Sequence, residues 1–240
     1  MTVSGAGSLC LLGSYAHTCS VVFYKWNPEA REFTHQADLL FPLAGEIKRW
    51  ESVTTYEGLG LLVFSLKKST DCPGEQGLYF STLNNEDILS SYVPILTQSD
   101  IVDFTLVHNP KSVNTLLFVV TAKKASYLKV YVWMPGSNEF LPDKEFFMGS
   151  TMVNIQAVPG VNYMTLMIKT EDAILFARLF EHGMKVGLLG QVNFYSDLGT
   201  RMALFENYGS VYGVVQERGT NVTLIKPHHS VQVITKPKLN

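Results

Sequence analysis

Six histidines, three cysteines and three tryptophans are the residues of this 240-residue chain whose chemistry could reach beyond packing. A metal site needs several ligands converging at workable spacing. His17, His35, His108, His182, His228 and His229 are scattered, most in predicted turns or at strand edges, and none forms a His-x-x-x-His helix pair. His228-His229 follows a strand and adjoins Pro227, which reads as a solvated turn. The densest run of oxygen ligands, Asn84-Asn85-Glu86-Asp87, lacks the glycine and distal glutamate of a calcium loop and also reads as a turn. A Gly-x-Ser-x-Gly nucleophile turn does not occur, nor does a phosphate-cradling glycine loop. Gly58-Leu59-Gly60 stands between two strands rather than ahead of a helix, so it is a hairpin turn. The expectation is a chain with no catalytic residues, no metal and no cofactor.

The cysteines are Cys10, Cys19 and Cys72, an odd count that leaves one bridge open. Cys10 and Cys19 would sit on neighbouring strands of one hairpin, so a bridge between them is conceivable. Buried free thiols are the plainer reading. Trp26, Trp50 and Trp133 could stack a ligand, but tryptophans at repeat positions ordinarily pack between repeats. Asn221-Val222-Thr223 is an N-glycosylation sequon, which makes Asn221 a candidate modified residue in a secreted protein.

Charge narrows the partners. Net charge is −2, only 17% of residues are charged, and the lysine pairs Lys67-Lys68 and Lys123-Lys124 are dispersed. No basic face for nucleic acid can be built from them. No apolar run reaches the eighteen or so residues of a membrane span. The apolar patch Leu9 to Leu12 has no basic segment ahead of it, so no signal peptide is read in these residues. With 46% apolar residues, the chain is expected to be mostly strand interior, or to have part of its surface covered by a partner.

The elements that must position these residues show themselves through a repeat. Val21-Val22-Phe23-Tyr24-Lys25-Trp26-Asn27-Pro28 with Glu32-Phe33 is echoed by Val130-Tyr131-Val132-Trp133-Met134-Pro135 with Glu139-Phe140. The copies lie about 107 residues apart, which suits two periods of roughly 50 residues. Between them run apolar segments of five to seven residues bounded by Gly, Pro, Asn and Ser, with no sustained helical periodicity. The chain divides into about four complete four-strand units, preceded by a three-strand unit without its opening strand. A four-stranded unit of this period is most simply a propeller blade. The expected fold is therefore an all-β propeller of four-stranded blades, with about five blades or a segment of a larger ring, over a single domain of residues 1–240. The apolar runs Leu61–Leu66, Leu116–Val120 and Met164–Ile168 are read as the inner strands. Their starts, Leu61, Leu116 and Met164, together with Leu9, are apolar, which argues against a ligand site on the central axis.

The apolar strand ending in Tyr/Val-x-Trp-x-Pro, a short turn and a Phe on the next strand resembles the epitempin or epilepsy-associated repeat. The match is good at Phe23–Phe33 and Val130–Phe140, and weaker where Ser81 and Arg178 stand in place of Trp. The resemblance implies a propeller that binds other proteins outside the cell, with no catalytic residues to transfer. The functional expectation is a non-catalytic protein-binding module, extracellular or at the cell surface, or a subunit of a larger assembly. A cytoplasmic setting is the alternative for location, and a propeller lectin or enzyme with an axial site is the alternative for function. Contact is expected through loops at one propeller face. The longest are residues 67–76 and 123–129, with Lys67, Lys68, Asp71, Lys123, Lys124 and Tyr127 as candidate contact residues.

Overall fold

A computed structural model describes residues 2–3, 9–15, 20–40, 45–72, 74–84, 90–97, 100–109, 114–122, 126–160, 163–171, 173–180, 186–193, 201–208, 210–216, 222–226 and 232–235. Every regular element among the described residues is a β-strand. The chain forms two compact units, residues 1–101 and residues 102–240.

The first unit holds two four-stranded antiparallel sheets. Sheet one contains β1 (Thr2–Val3), β2 (Leu9–Tyr15), β3 (Ser20–Asn27) and β4 (Glu32–Leu40), and sheet two contains β5 (Glu46–Thr54), β6 (Gly60–Lys67), β7 (Gly77–Leu83) and β8 (Val93–Leu96). The second unit is built from three more. Sheet three is β9 (Ile101–His108), β10 (Thr115–Ala122), β11 (Ser126–Met134) and β12 (Glu139–Phe147). Sheet four is β13 (Met152–Pro159), β14 (Tyr163–Thr170), β15 (Ala173–Phe180) and β16 (Val186–Asn193), and sheet five is β17 (Arg201–Asn207), β18 (Ser210–Gln216), β19 (Val222–Lys226) and β20 (Gln232–Thr235). In every sheet the strands pair in chain order, as sequential hairpins require. The first repeat does not lack its opening strand. Thr2 and Val3 pair with Cys10 and Leu9, two residues too short to show as a strand in a hydropathy pattern.

The recurring Trp-x-Pro…Glu-Phe spacing is a hairpin code. Trp26 stands opposite Phe33, and Trp133 opposite Phe140. In both pairs the rings meet edge to face at 5.1 Å. Such pairs add about 0.5–1.5 kcal/mol to the area they bury. Each turn ends on a residue with positive φ, Arg31 (φ 53) and Asn138 (φ 52), just ahead of the Glu. Asn27 Oδ1 fastens the first turn by accepting the N–H groups of Glu29 (3.0 Å) and Ala30 (3.2 Å).

Packing in the second unit follows from which faces are apolar. β10 and β14 are buried on both faces for nearly their whole length. Phe118, Val120, Leu128 and Val130 of sheet three meet Ile155, Leu166, Ile168 and Leu179 of sheet four in one core. Met167, Ile174 and Phe176 cover the other side of sheet four and pack on Val215 and Ile225 of sheet five. Gly213 permits that approach, because a Cβ there would lie 2.9 Å from both Met167 Sδ and Phe176 Cζ. β18, by contrast, is buried only at alternate residues.

Polar bonds also join the sheets, through the opening strands rather than through the apolar strands β10 and β14, which lie inside their sheets as expected. Asp103 Oδ2 on β9 accepts Asn154 Nδ2 (2.6 Å) and the Ile155 N–H (2.9 Å) on β13. Gln156 on β13 donates to Met202 O (2.9 Å) and accepts the Leu204 N–H (2.7 Å) on β17. The opening strands of successive sheets are therefore the ones stitched together. The apolar strands starting at Leu116 and Met164 are second in their sheets, so their apolar starts carry no information about an axis.

Candidate partner-binding surface

Lys67, Lys68 and Asp71 lie on the connection between β6 and β7, where all three are exposed. Lys67 closes β6 and pairs with Glu46 of β5 at 3.3 Å. The base of this loop is fixed. Ser69 Oγ accepts the Cys72 N–H at 3.1 Å, and the Ser69 N–H donates to Cys72 O at 3.1 Å. Cys72 itself is buried and disulfide-bonded. That overturns the free-thiol reading, and with three cysteines in the chain it also excludes a Cys10–Cys19 bridge. Geometry explains the miss: Cys72 is remote in sequence from both other cysteines, and only folding brings such residues within bonding distance.

Beyond the disulfide, the Glu75 carboxylate accepts the Tyr79 hydroxyl at 3.4 Å. Burial and the Glu75 charge push the Tyr79 pKa up to about 12. Phe64, Tyr79 and Tyr92 form an aromatic cluster below, with centroid separations of 5.6–6.3 Å. The loop is thus a charged tip on a rigid, covalently held foot.

The equivalent connection of sheet three joins β10 to β11. Lys123 and Lys124 fall outside the described residues, as do His17, His182, His228, His229, Cys19, Asn221 and the run Asn85-Glu86-Asp87. Tyr127 is 36% exposed at the start of β11, opposite Phe147, which is 66% exposed at the end of β12. Their ring centroids are 5.6 Å apart. The sequence reading missed Phe147, whose signal was available: it continues an aromatic pair, Phe146-Phe147, of which a strand can bury only one member. A second aromatic pair, exposed Phe205 and half-buried Tyr212, stacks at 5.5 Å on β17 and β18. Trp133, in contrast, is buried among its neighbours and offers no ligand-stacking surface.

Arg178 does not occupy the tryptophan's place. Leu179 shares the core with sheet three, whereas Arg178 alternates with Phe176 onto the face turned to sheet five. Ser81, the other stand-in, donates its hydroxyl to Ser90 O at 2.6 Å. Among the described residues no three His, Cys, Asp or Glu side chains gather as a metal site would require. Among the described residues no helix is long and apolar enough to cross a membrane.

No protein-family model matches the chain, and no curated protein matches its sequence. Solved structures do resemble it. A functionally unknown protein from Desulfotomaculum acetoxidans aligns at TM-score 0.63 and 11% identity, over 97% of this chain and 67% of the other. The Aleuria aurantia lectin, a six-bladed β-propeller that recognises fucose, aligns at TM-score 0.53 and 10% identity, over 95% of this chain and 78% of the lectin. A protein solved in complex with a coiled-coil partner aligns at TM-score 0.61 and 11% identity, over 98% of this chain and 68% of the other. At such identities the likeness is one of fold alone. The five four-stranded antiparallel sheets and these neighbours make the chain an all-β protein of the β-propeller fold, built from four-stranded blades.

Proposed function

We propose that the chain is a non-catalytic protein-binding propeller module that works outside the cell, alone or as a subunit of a larger assembly, in the manner of the epilepsy-associated repeat it resembles. The observation that carries this reading is the β6–β7 loop, where Lys68 and Asp71 are exposed on a segment held at its base by the Cys72 disulfide. A preorganised loop binds without the entropy cost of ordering on contact. A disulfide also persists in oxidising compartments and is rare in the cytosol, which supports an extracellular setting. The polar side chains of the opening strands, Asp103, Asn154 and Gln156, use hydrogen-bonding groups to join one sheet to the next, a structural role rather than a catalytic one.

The test is capture from a mixture of extracellular proteins, comparing the native chain with a Lys68→Glu/Asp71→Lys variant of equal stability. The reading expects at least one protein retained by the native chain and lost, roughly tenfold or more, from the charge-reversed one. Equal capture by both chains, or binding only to free glycans on an array, would overturn it in favour of the lectin alternative.

A further inference from the structure

Sheet five is covered on one face only. In sheets two, three and four the second strand (β6, β10 and β14) is buried along both faces. In sheet five the second strand, β18, is buried at Val211, Gly213 and Val215, while Tyr212 and Val214 between them are half-buried. Val215 and Ile225 pack on sheet four with Leu204. The opposite face therefore carries Tyr212 and Val214 with the residues in register with them, Phe205 on β17 and Leu224 on β19. Phe205 is 39% exposed, and Val222, on the same face, is 47% exposed. The series of polar links also changes character here. Ile155 receives a bond from sheet three, and its neighbour Gln156 bonds onward to sheet five. Leu204 receives that bond, but its neighbour is Phe205, which offers a ring to whatever lies beyond. Charge on this face has one sign among the described residues. Arg201 and Lys226 stand on it, Lys226 Nζ 5.3 Å from the centre of the Tyr212 ring, and no carboxylate does.

A complementary face exists on sheet one. Trp133 and Phe140 of sheet three are 2% and 8% exposed, whereas the same pair in sheet one, Trp26 and Phe33, is only half-buried. Equal hairpins with unequal burial mark a face that lacks its cover. The turn beside Trp26 exposes Glu29 and Glu32 against one cation, Arg31. We propose that the free face of sheet five binds sheet one of a second copy of this chain, head to tail. Packed sheets set equivalent strands side by side, as the bonds from β9 to β13 and from β13 to β17 show. Laid down in that manner, sheet one of the second copy brings the acidic turn after β3 to the end of β19, where Lys226 stands. Opposite charge fixes the register, and the apolar centre supplies the burial. The contact joins unlike faces, so it is heterologous and builds a ring where the rotation closes and a filament where it does not. It uses neither Lys68 nor Asp71 and stands apart from the loop-binding reading above.

The experiment is sedimentation velocity on the full chain from about 1 μM to about 100 μM. The native chain should grow in mass with concentration, and less so at high salt. Phe205→Asp on sheet five and Glu29→Lys/Glu32→Lys on sheet one should each weaken association by roughly tenfold or more. Both sites are exposed, and far-UV spectra and thermal midpoints matching the native chain show that the variants fold. Each variant keeps one native face, so mixing the two in equal amounts should restore association but stop at two chains. The Lys68→Glu/Asp71→Lys variant should associate like the native chain, which separates this contact from the loop. A native chain that keeps the mass of one copy at the highest concentration overturns the proposal, whether the face is closed by its own chain or by an unlike protein. So does association that survives Phe205→Asp. Association lost in Phe205→Asp but intact in Glu29→Lys/Glu32→Lys assigns sheet five to another surface and overturns it as well.

Discussion

The Tyr79 hydroxyl and the Glu75 carboxylate share a hydrogen bond at the foot of the β6–β7 loop, and the tyrosine pKa is pushed up to about 12, first by burial and then by the Glu75 charge. A raised pKa means that the neutral phenol is favoured in the fold. Its contribution to stability is whole below the ordinary value of 10.0 and is lost as the pH rises through about 12. Absorbance titration at 295 nm should therefore show one tyrosine ionising near pH 12, and Tyr79→Phe should remove that step. His108 behaves in the opposite sense. Its Nδ1 lies 2.9 Å from Thr115 Oγ1, and burial pulls its pKa below 6.5. Protonation is harder in the fold than in the unfolded chain, so this contribution is present above pH 6.5 and lost as the pH falls through the folded value. Urea unfolding at pH 7.5 and pH 5 should show a loss of stability that is smaller in His108→Gln. The environment of Tyr79 could not be read from the sequence, because Glu75 is four residues away in a loop of unknown path.

At the scale of elements, the hairpin code was the most legible feature. Trp, Pro, a turn residue that tolerates positive φ, and Phe each satisfy a local requirement, so the spacing announces itself in two sheets. The order of strands across a blade was not legible in the same way. A continuously apolar strand says that both its faces are dry, which holds equally for an innermost strand and for a second strand between two neighbours. β10 and β14 proved to be the latter, and the alternating opening strands β9, β13 and β17 carry the polar bonds between sheets. The same contact explains Gly213. Gly213→Ala would place a methyl carbon 2.9 Å from Met167 Sδ and Phe176 Cζ, so the sheets must separate slightly. A loss of about 1–3 kcal/mol in denaturant unfolding is expected. It should come with faster amide exchange in β15 and β18, while β6 and β7 are unaffected.

For the whole molecule, the disulfide at Cys72 is the feature with the widest consequence. Cys72→Ser should cost the first unit about 2–4 kcal/mol. Hydrogen exchange should show the loss in β6 and β7 and spare β10 and β14, and a reducing agent should reproduce it in the native chain but add nothing to the variant. Equal exchange with and without reductant would remove the argument from redox compartment to an extracellular role. The candidate contact residues were only partly legible at this scale. Charge and turn length pointed to Lys67, Lys68 and Asp71, all exposed as expected. Phe147 and the Phe205–Tyr212 stack stayed hidden because an apolar residue on a strand looks alike whether its face is covered or open.

What the sequence determined by itself is local and periodic: all-β structure, four-stranded units of about 50 residues, and Trp–Phe hairpins, because turn chemistry and strand alternation act over a few residues. What only the tertiary structure decided is non-local. The bonding of Cys72, the stitching of β9 to β13 and β13 to β17, and the seating of Arg178 over the Tyr163 ring all join residues on different strands. Such pairings depend on register and on which blade faces which, and no short-range pattern encodes either.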